Sequence, residues 1–331
     1  CVSFERMNFM CLNPNLVRSR LDDGTGAVVT TFLGKAGFVD PHDFGEPFVD
    51  HEWYTTVPCG KCRECKMDYA RQWANRMVLE AQDWPKNLFF TATYNNSNLP
   101  IQASSGSPTL DKRDIQLFMK RLRKEFAPRT VRYYFAGEYG SRTHRPHYHA
   151  ILFNIGLEDF PDRRIHSYNE LKQPLYYSPT LEKIWGHGFI LMSDVTWKTC
   201  NYVARYVDKK ALREDVPITD GEFDWEPEFS LSSRRPGIGM RKAEELLSSG
   251  CYKFPVNDGC ETLEFTLPGT VLKRFREIGL DKSLEMSYNK AKLTRAKLIS
   301  ELDQTGLQYD ELLKRREKAL TRKLNMLPER L

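Results

Sequence analysis

The chain of 331 residues has no run of eighteen apolar residues, so no transmembrane helix is expected. Nothing resembling a signal peptide opens it. A G-x-x-x-x-G-K-[S/T] phosphate loop is also missing, which argues against ATPase or helicase activity within the chain. No internal repeat is visible. Eight cysteines without secretion signals do not make a disulfide framework, and a reducing cytoplasm suits them better. At 40% hydrophobic and 28% charged the composition is that of an ordinary globular protein, long enough for one large domain or two.

Charge is more telling in its distribution than in its sum of +5. Lys120, Arg121, Arg123 and Lys124 crowd the end of one predicted helix, and Lys314, Arg315, Arg316, Lys318, Arg322 and Lys323 form a second group. Such groups are electrostatic footprints for polyphosphates, or else solvated helix faces balanced by nearby acids.

The pattern of elements reads as follows. Residues 1–58 are irregular, with loops and short strands. A helix over 64–83 carries an apolar stripe of Tyr69, Trp73 and Met77. A strand over 87–94 precedes a helix at 111–126 with Asp111 as N-cap. Strands at 131–137 and 146–154 follow, then a short helix at 180–185, a strand at 188–195 and a helix from 197 to 211. The order β-α-β-β-α-β predicts an α+β, ferredoxin-like antiparallel sheet with helices on one side. Three segments are expected: 1–84 with a cysteine cluster and a helix, 85–212 as the α+β core, and 213–331 as a basic, largely helical region.

Two constellations within this frame carry chemistry. Arg145-Pro146-His147-Tyr148-His149 begins a strand, so alternation sets His147 and His149 side by side on one face. Glu138 ends the preceding strand, and a hairpin would bring its carboxylate across from both imidazoles. His144 in the connecting loop is the competing third ligand. Two nitrogens and a carboxylate suit Mn²⁺, Zn²⁺ or Fe²⁺, and phosphodiester attack calls for a Lewis acid such as Mn²⁺ or Mg²⁺. Tyr202 and Tyr206, four apart, share one helix face, with Arg205 three after Tyr202 and Lys209 three after Tyr206. A phenol with a pKa of about 10 becomes a nucleophile only beside a cation and a polarised phosphate. Packing of an amphipathic helix explains the same tyrosines without chemistry.

Cys59, Cys62 and Cys65 form C-x-x-C-x-x-C, and Cys11 is a possible fourth ligand. Structural zinc favours four thiolates with this two-residue gap, a related spacing holds iron–sulfur clusters, and three free thiols are the plain alternative. Cys200, Cys251 and Cys260 read as ordinary, at least partly buried residues. Ser233-Arg234-Arg235-Pro236-Gly237-Ile238-Gly239 offers two guanidiniums on a glycine-bearing loop that could clasp a phosphate, or is a surface turn.

The joint order of Glu138, His147-x-His149 and Tyr202-x₃-Tyr206-x₂-Lys209 resembles the HUH endonucleases that start rolling-circle replication. The paired tyrosines look like the branch containing the A protein of small single-stranded DNA phages, and in particular the gokushovirus-type initiators of microviruses. Val57-Pro58-Cys59-Gly60-Lys61-Cys62, Trp73-Ala74-x-Arg76 and the 233–239 loop extend that likeness, which covers most of 57–240 and is thin before 50 and beyond 270. It implies an HUH nuclease fold for 85–212 and Mn²⁺ or Mg²⁺ on Glu138, His147 and His149. Tyr202 and Tyr206 would attack in turn through 5′-phosphotyrosine intermediates, helped by Lys209. Lys120, Arg121, Arg123, Lys124, Arg205, Lys210, Arg234 and Arg235 are the expected DNA contacts, and Cys11, Cys59, Cys62 and Cys65 the zinc ligands. Single-stranded origin DNA, with a host helicase and polymerase, would be the partners, in the cytoplasm of a bacterial host. Two other readings stay open: a zinc-stabilised single-stranded DNA-binding protein without catalysis, and a transposase or relaxase with the same core.

Overall fold

The computed structural model describes residues 11–24, 28–37, 39–46, 50–140, 143–169, 172–206, 226–251, 253–257, 262–277 and 281–325. By contact the chain falls into two units, one of residues 1–69 with 272–331 and one of residues 70–271. This grouping follows packing, whereas the boundaries read at 84 and 212 followed chain order. No described helix is long and apolar enough to cross a membrane.

In the first unit, β1 (Asn15–Leu21) is the centre of a three-stranded antiparallel sheet, between β2 (Val28–Lys35) and β3 (Glu52–Val57). Its core joins Leu16, Ala36 and Phe44 to Leu298, Leu302, Tyr309, Leu312 and Leu313 of the two C-terminal helices, Asp281–Thr305 and Tyr309–Asn325. The irregular reading of 1–58 misses this sheet. Every residue of β2 is exposed, so the strand carries no in-and-out alternation to detect.

The second unit takes in most of helix α1 (Arg63–Gln82) and continues through β4 (Asn87–Tyr94), α2 (Lys112–Glu125), β5 (Arg132–Tyr139) and β6 (Pro146–Phe153). A hairpin, β7 (Arg164–Tyr168) and β8 (Pro174–Tyr177), precedes α3 (Pro179–Trp185), β9 (Gly188–Asp194), α4 (Trp197–Tyr206) and β10 (Phe229–Ser232). The sheet order is β10-β5-β6-β4-β9-β8-β7, all pairs antiparallel. Its inner four strands have the ferredoxin-like arrangement expected, and the protein is α+β. The hairpin and β10 extend the sheet at its two ends and were not read in advance.

Alternation along β4 sends Leu88, Phe90, Ala92 and Tyr94 into one core with Ile115, Phe118, Met119 and Leu122 of α2 and Leu181 and Trp185 of α3. Asp111 caps α2 by accepting from the Arg113 N–H at 2.7 Å. Helices lie on both faces, which corrects the one-sided expectation. On the opposite face Trp73 of α1 packs on Tyr134, and Tyr202 of α4 packs on His149. The physical reason is in β5 and β6, whose residues are nearly all buried on both sides and so need cover on both. The stripe of α1 is also shifted: Met67, Ala70, Ala74 and Met77 are buried, while Tyr69 is exposed.

Candidate metal centre and tyrosine helix

Residues opposite the α2–α3 core on three adjacent strands build one pocket. Register pairs Glu138 with His147 and Ala136 with His149 across β5 and β6, then Thr91 with His149 and Thr93 with His147 across β6 and β4. Nε2 of His147 and Nε2 of His149 each lie 3.0 Å from the same oxygen, Oε1 of Glu138. One ligand atom from each residue falls within 4.8 Å of the others. Glu138 and His149 are buried, and His147 is partly open to solvent. A buried carboxylate facing two ring nitrogens is costly unless a proton or cation sits among them. Metal bonds of about 2.1 Å meeting at right angles put neighbouring donors about 3.0 Å apart, which the pocket matches. His144 is exposed in the turn, with a left-handed φ of 49°, and is outside the cluster.

The buried imidazole is held from behind. Thr91 Oγ1 lies 2.9 Å from Nδ1 of His149, so with Nδ1–H donating to the hydroxyl, Nε2 is left as a lone pair aimed at Glu138. The ring is stacked beside Phe89 at 6.4 Å between centroids and meets the Tyr202 ring edge-on at 5.0 Å. Tyr202 also packs edge-on against Phe89 at 6.1 Å and is half-buried. The first tyrosine is therefore a direct neighbour of a candidate ligand. Thr91 was noted only as part of a strand. Its one signal was a polar residue on the non-core side of an otherwise apolar run. Tyr206 closes the described part of α4; its side chain, with Lys209 and Lys210, lies outside the described residues.

Four cysteines meet in the first unit. Cys11 and Cys62 sulfurs are 3.8 Å apart, Cys59 and Cys65 sulfurs 3.9 Å, and all four lie within 4.8 Å of one another. Four thiolates at about 2.3 Å from a tetrahedral cation stand about 3.8 Å apart. Gly60, at φ 74°, makes the tight turn between Cys59 and Cys62, and Cys65 sits in the first turn of α1. The Cys59 N–H donates to the Cys11 sulfur, and the Cys62 N–H to the Cys59 sulfur. Burial pushes the Cys59 thiol up, but the Cys62 and Lys61 backbone N–H groups and the neighbouring thiols outweigh it and bring it down to about 6. Burial drives Cys62 up to about 11 and raises Cys65 further. Cys200 is buried, Cys251 is exposed contrary to expectation, and Cys260 lies outside the described residues.

The basic candidates separate. Helix α2 lies across the sheet from the pocket, so Lys120, Arg121, Arg123 and Lys124 are not metal neighbours. Arg121 donates to the Ile184 and Trp185 carbonyls at 2.6 and 2.7 Å, closing the end of α3, while Lys120 and Lys124 are exposed. Arg205 is half-buried on α4. The 233–239 loop and the Trp73–Arg76 stretch meet: Arg76 Nε donates to the Ile238 carbonyl at 2.9 Å, and the Gly239 N–H to Glu80 Oε2 at 2.8 Å. That loop thus packs on α1 through its backbone and leaves Arg234 and Arg235 exposed.

Comparison with known proteins places this geometry. A family model for replication-associated proteins of the ORF2 type matches residues 87–211. The chain is 33% identical over 195 residues to replication-associated protein VP4 of Bdellovibrio phage phiMH2K, covering 57% of this chain and 58% of that one. It is 35% identical over 178 residues to replication-associated protein ORF2 of Spiroplasma virus 4, covering 53% of each. Against replication-associated protein ORF4 of Chlamydia phage 1 it is 27% identical over 212 residues, 62% of this chain and 51% of that one. The chain spans about half the length of the curated relatives it matches, and no solved structure matches it. Residues 87–211, the segment holding both the carboxylate–imidazole pocket and the tyrosine helix, belong to this ORF2-type family of replication-associated proteins, as the resemblance read from the sequence implies.

Proposed function

We propose that this protein is a phage replication initiator that nicks single-stranded origin DNA and rejoins the released circle through a tyrosine. The observation that carries the reading is the packing of Tyr202 against His149, itself one of two imidazoles that share the Glu138 carboxylate. Glu138, His147 and His149 would hold Mn²⁺ or Mg²⁺. Such an ion supplies Lewis-acid polarisation of a non-bridging phosphate oxygen. The Tyr202 hydroxyl oxygen attacks phosphorus and gives up its proton, the bond from phosphorus to the 3′ oxygen breaks, and that oxygen leaves to become a 3′-hydroxyl. The DNA is then joined to tyrosine through its 5′ phosphate. Rejoining reverses these bonds, and Tyr206, one turn further on the helix, serves as the second nucleophile, with Lys209 beside it. Thr91 holds the His149 ring in orientation throughout. The four cysteines bind a structural Zn²⁺. A host helicase and polymerase extend the freed 3′-hydroxyl, in the cytoplasm of a bacterial host.

The test is a denaturing gel after incubation with an origin oligonucleotide and Mn²⁺. The parent protein leaves protein covalently on DNA, and Tyr202→Phe with Tyr206→Phe leaves none while binding survives. An adduct that persists in the double variant refutes the nucleophile assignment. Binding without any adduct from the parent protein favours the non-catalytic DNA-binding reading.

A further inference from the structure

A second anion-binding site lies well away from the metal pocket. An open cleft of about 760 Å³ is formed by the end of α2, the turn over 127–131, the start of β5 and the chain over 231–235. Five arginines line it, 123, 129, 132, 234 and 235, and no carboxylate among the described residues does. Two of the five are neutralised from outside the lining. Arg132 pairs with the buried Glu80 at 2.5 Å and Arg129 with Asp159 at 2.8 Å. These pairs fix the walls. Arg123 spends one N–H on the Val131 carbonyl at 3.2 Å and lies over the Tyr133 ring at 5.5 Å, so it keeps its charge. Arg234 and Arg235 are exposed and bond to no described side chain or carbonyl. The backbone beneath them is rigid nonetheless: Ser233 N–H donates to the Tyr133 carbonyl at 3.0 Å, and the Tyr133 N–H donates to Ser233 Oγ at 3.1 Å.

We infer that this cleft binds the phosphodiester backbone of the DNA strand that enters the metal pocket, as a separate anchoring site for the flanking sequence. Three uncompensated guanidiniums in a concave, acid-free surface select phosphate oxyanions. Tyr133 and Leu231 in the same wall offer apolar surface to a sugar or base. Position argues for a flank and not for the cleaved bond. The cleft includes Arg132 and Tyr133 at the start of β5, and Glu138 stands near its end. Five to six residues of extended strand are about 20 Å, which is about six base steps of a B-form strand. The inference rests on the DNA-handling reading above and deepens it.

The test measures binding of a labelled oligonucleotide series in EDTA, so that nicking plays no part. The series runs from a short strand that fills the metal pocket alone to strands and duplex-flanked strands extended by six or more steps. For the parent protein, affinity is expected to rise with the flank. Arg234→Ala with Arg235→Ala should bind the extended oligonucleotides about tenfold more weakly and the short one equally well. Its dependence on log salt should be shallower by about 1.4 to 1.8, the loss of two phosphate contacts. The paired Lys substitutions should restore most of the salt slope, since they keep the charge, and both variants should melt with the parent. A double Ala variant that matches the parent on every length overturns the proposal, as does equal weakening on the short strand. ATP or inorganic phosphate at low millimolar concentration that abolishes the flank effect would reassign the cleft to a free phosphate ligand. If adducts form while affinity is independent of length, only the cleft assignment falls. If no oligonucleotide binds or reacts, the DNA reading falls with it.

Discussion

At the scale of single residues, the pocket depends on Thr91 as much as on its ligands. A hydroxyl at 2.9 Å from Nδ1 sets the tautomer of a buried imidazole that has no water to do so. Thr91→Val keeps the volume and removes the partner, and should weaken Mn²⁺ binding by about 10- to 100-fold in calorimetry. An unchanged affinity would reduce Thr91 to a filler. Phe189 is the other residue that strand pairing brings into play. It is 62% exposed on β9 and pairs with Thr93, which pairs with His147, so it lies about two strand spacings from the pocket on the same face. Isolated exposed aromatics are common on soluble proteins. Here the ring borders a candidate DNA path, and Phe189→Ala should weaken single-stranded DNA binding by about 5- to 150-fold, matching the loss of one stacked base, with Mn²⁺ affinity intact. The histidine pair was legible in the sequence, because alternation needs only neighbours in the chain. Thr91 and Phe189 were not, because their roles arise from strands far apart in sequence.

At the scale of elements, the strongly patterned segments were legible to within a few residues. β4 is found over the span read for it, and α2 begins at its Asp111 cap as expected. The β7–β8 hairpin and β2 were not legible, since half-exposed or exposed strands lack an apolar rhythm. Two joints between elements are testable. Gly239 has φ 70°, and a Cβ there would fall 2.4 Å from the Arg76 carbonyl oxygen of α1. Gly239→Ala should therefore cost more than about 2 kcal/mol, read as a clear drop in melting temperature. Asp159, 8% exposed at its side chain, ties Lys86 ahead of β4 to Arg129 after α2. Burial opposes its ionisation, but Lys86, Arg129 and the Gly156 N–H prevail and hold its carboxyl below the usual range. A lowered folded-state value means the native state binds fewer protons than the unfolded one. The stabilisation is then complete above the unfolded value of about 4 and fades as pH falls through the folded one. Asp159→Asn should be less stable than the parent at pH 7 in urea unfolding, with the gap closing below about pH 4. A gap that is constant with pH would exclude the carboxylate as its source.

At the scale of the whole molecule, the cysteine cluster ties Cys11 to the Cys59–Cys65 turn across most of the first unit's sheet. Its donors already sit at the spacing of a tetrathiolate site. A chelator strong enough to strip zinc should lower the melting temperature by several degrees, and elemental analysis should find about one zinc per chain before treatment. Cys11→Ser, which removes the ligand most distant in sequence, should reduce that stoichiometry; a full complement of zinc in this variant would exclude Cys11 from the site.

Local order in the chain determined by itself which residues could do chemistry. The H-x-H pair, the i and i+4 tyrosines, the C-x-x-C-x-x-C turn and the β-α-β-β-α-β succession all rest on periods of two and 3.6 residues. Only the tertiary structure decided what those residues meet. Strand register fixed Glu138, and not His144, as the partner of both imidazoles, and delivered Thr91 to His149. Packing on both sheet faces brought Tyr202 to the pocket and sent the α2 arginines to the far side. Contacts of that kind join segments separated by tens of residues, and no local period carries them.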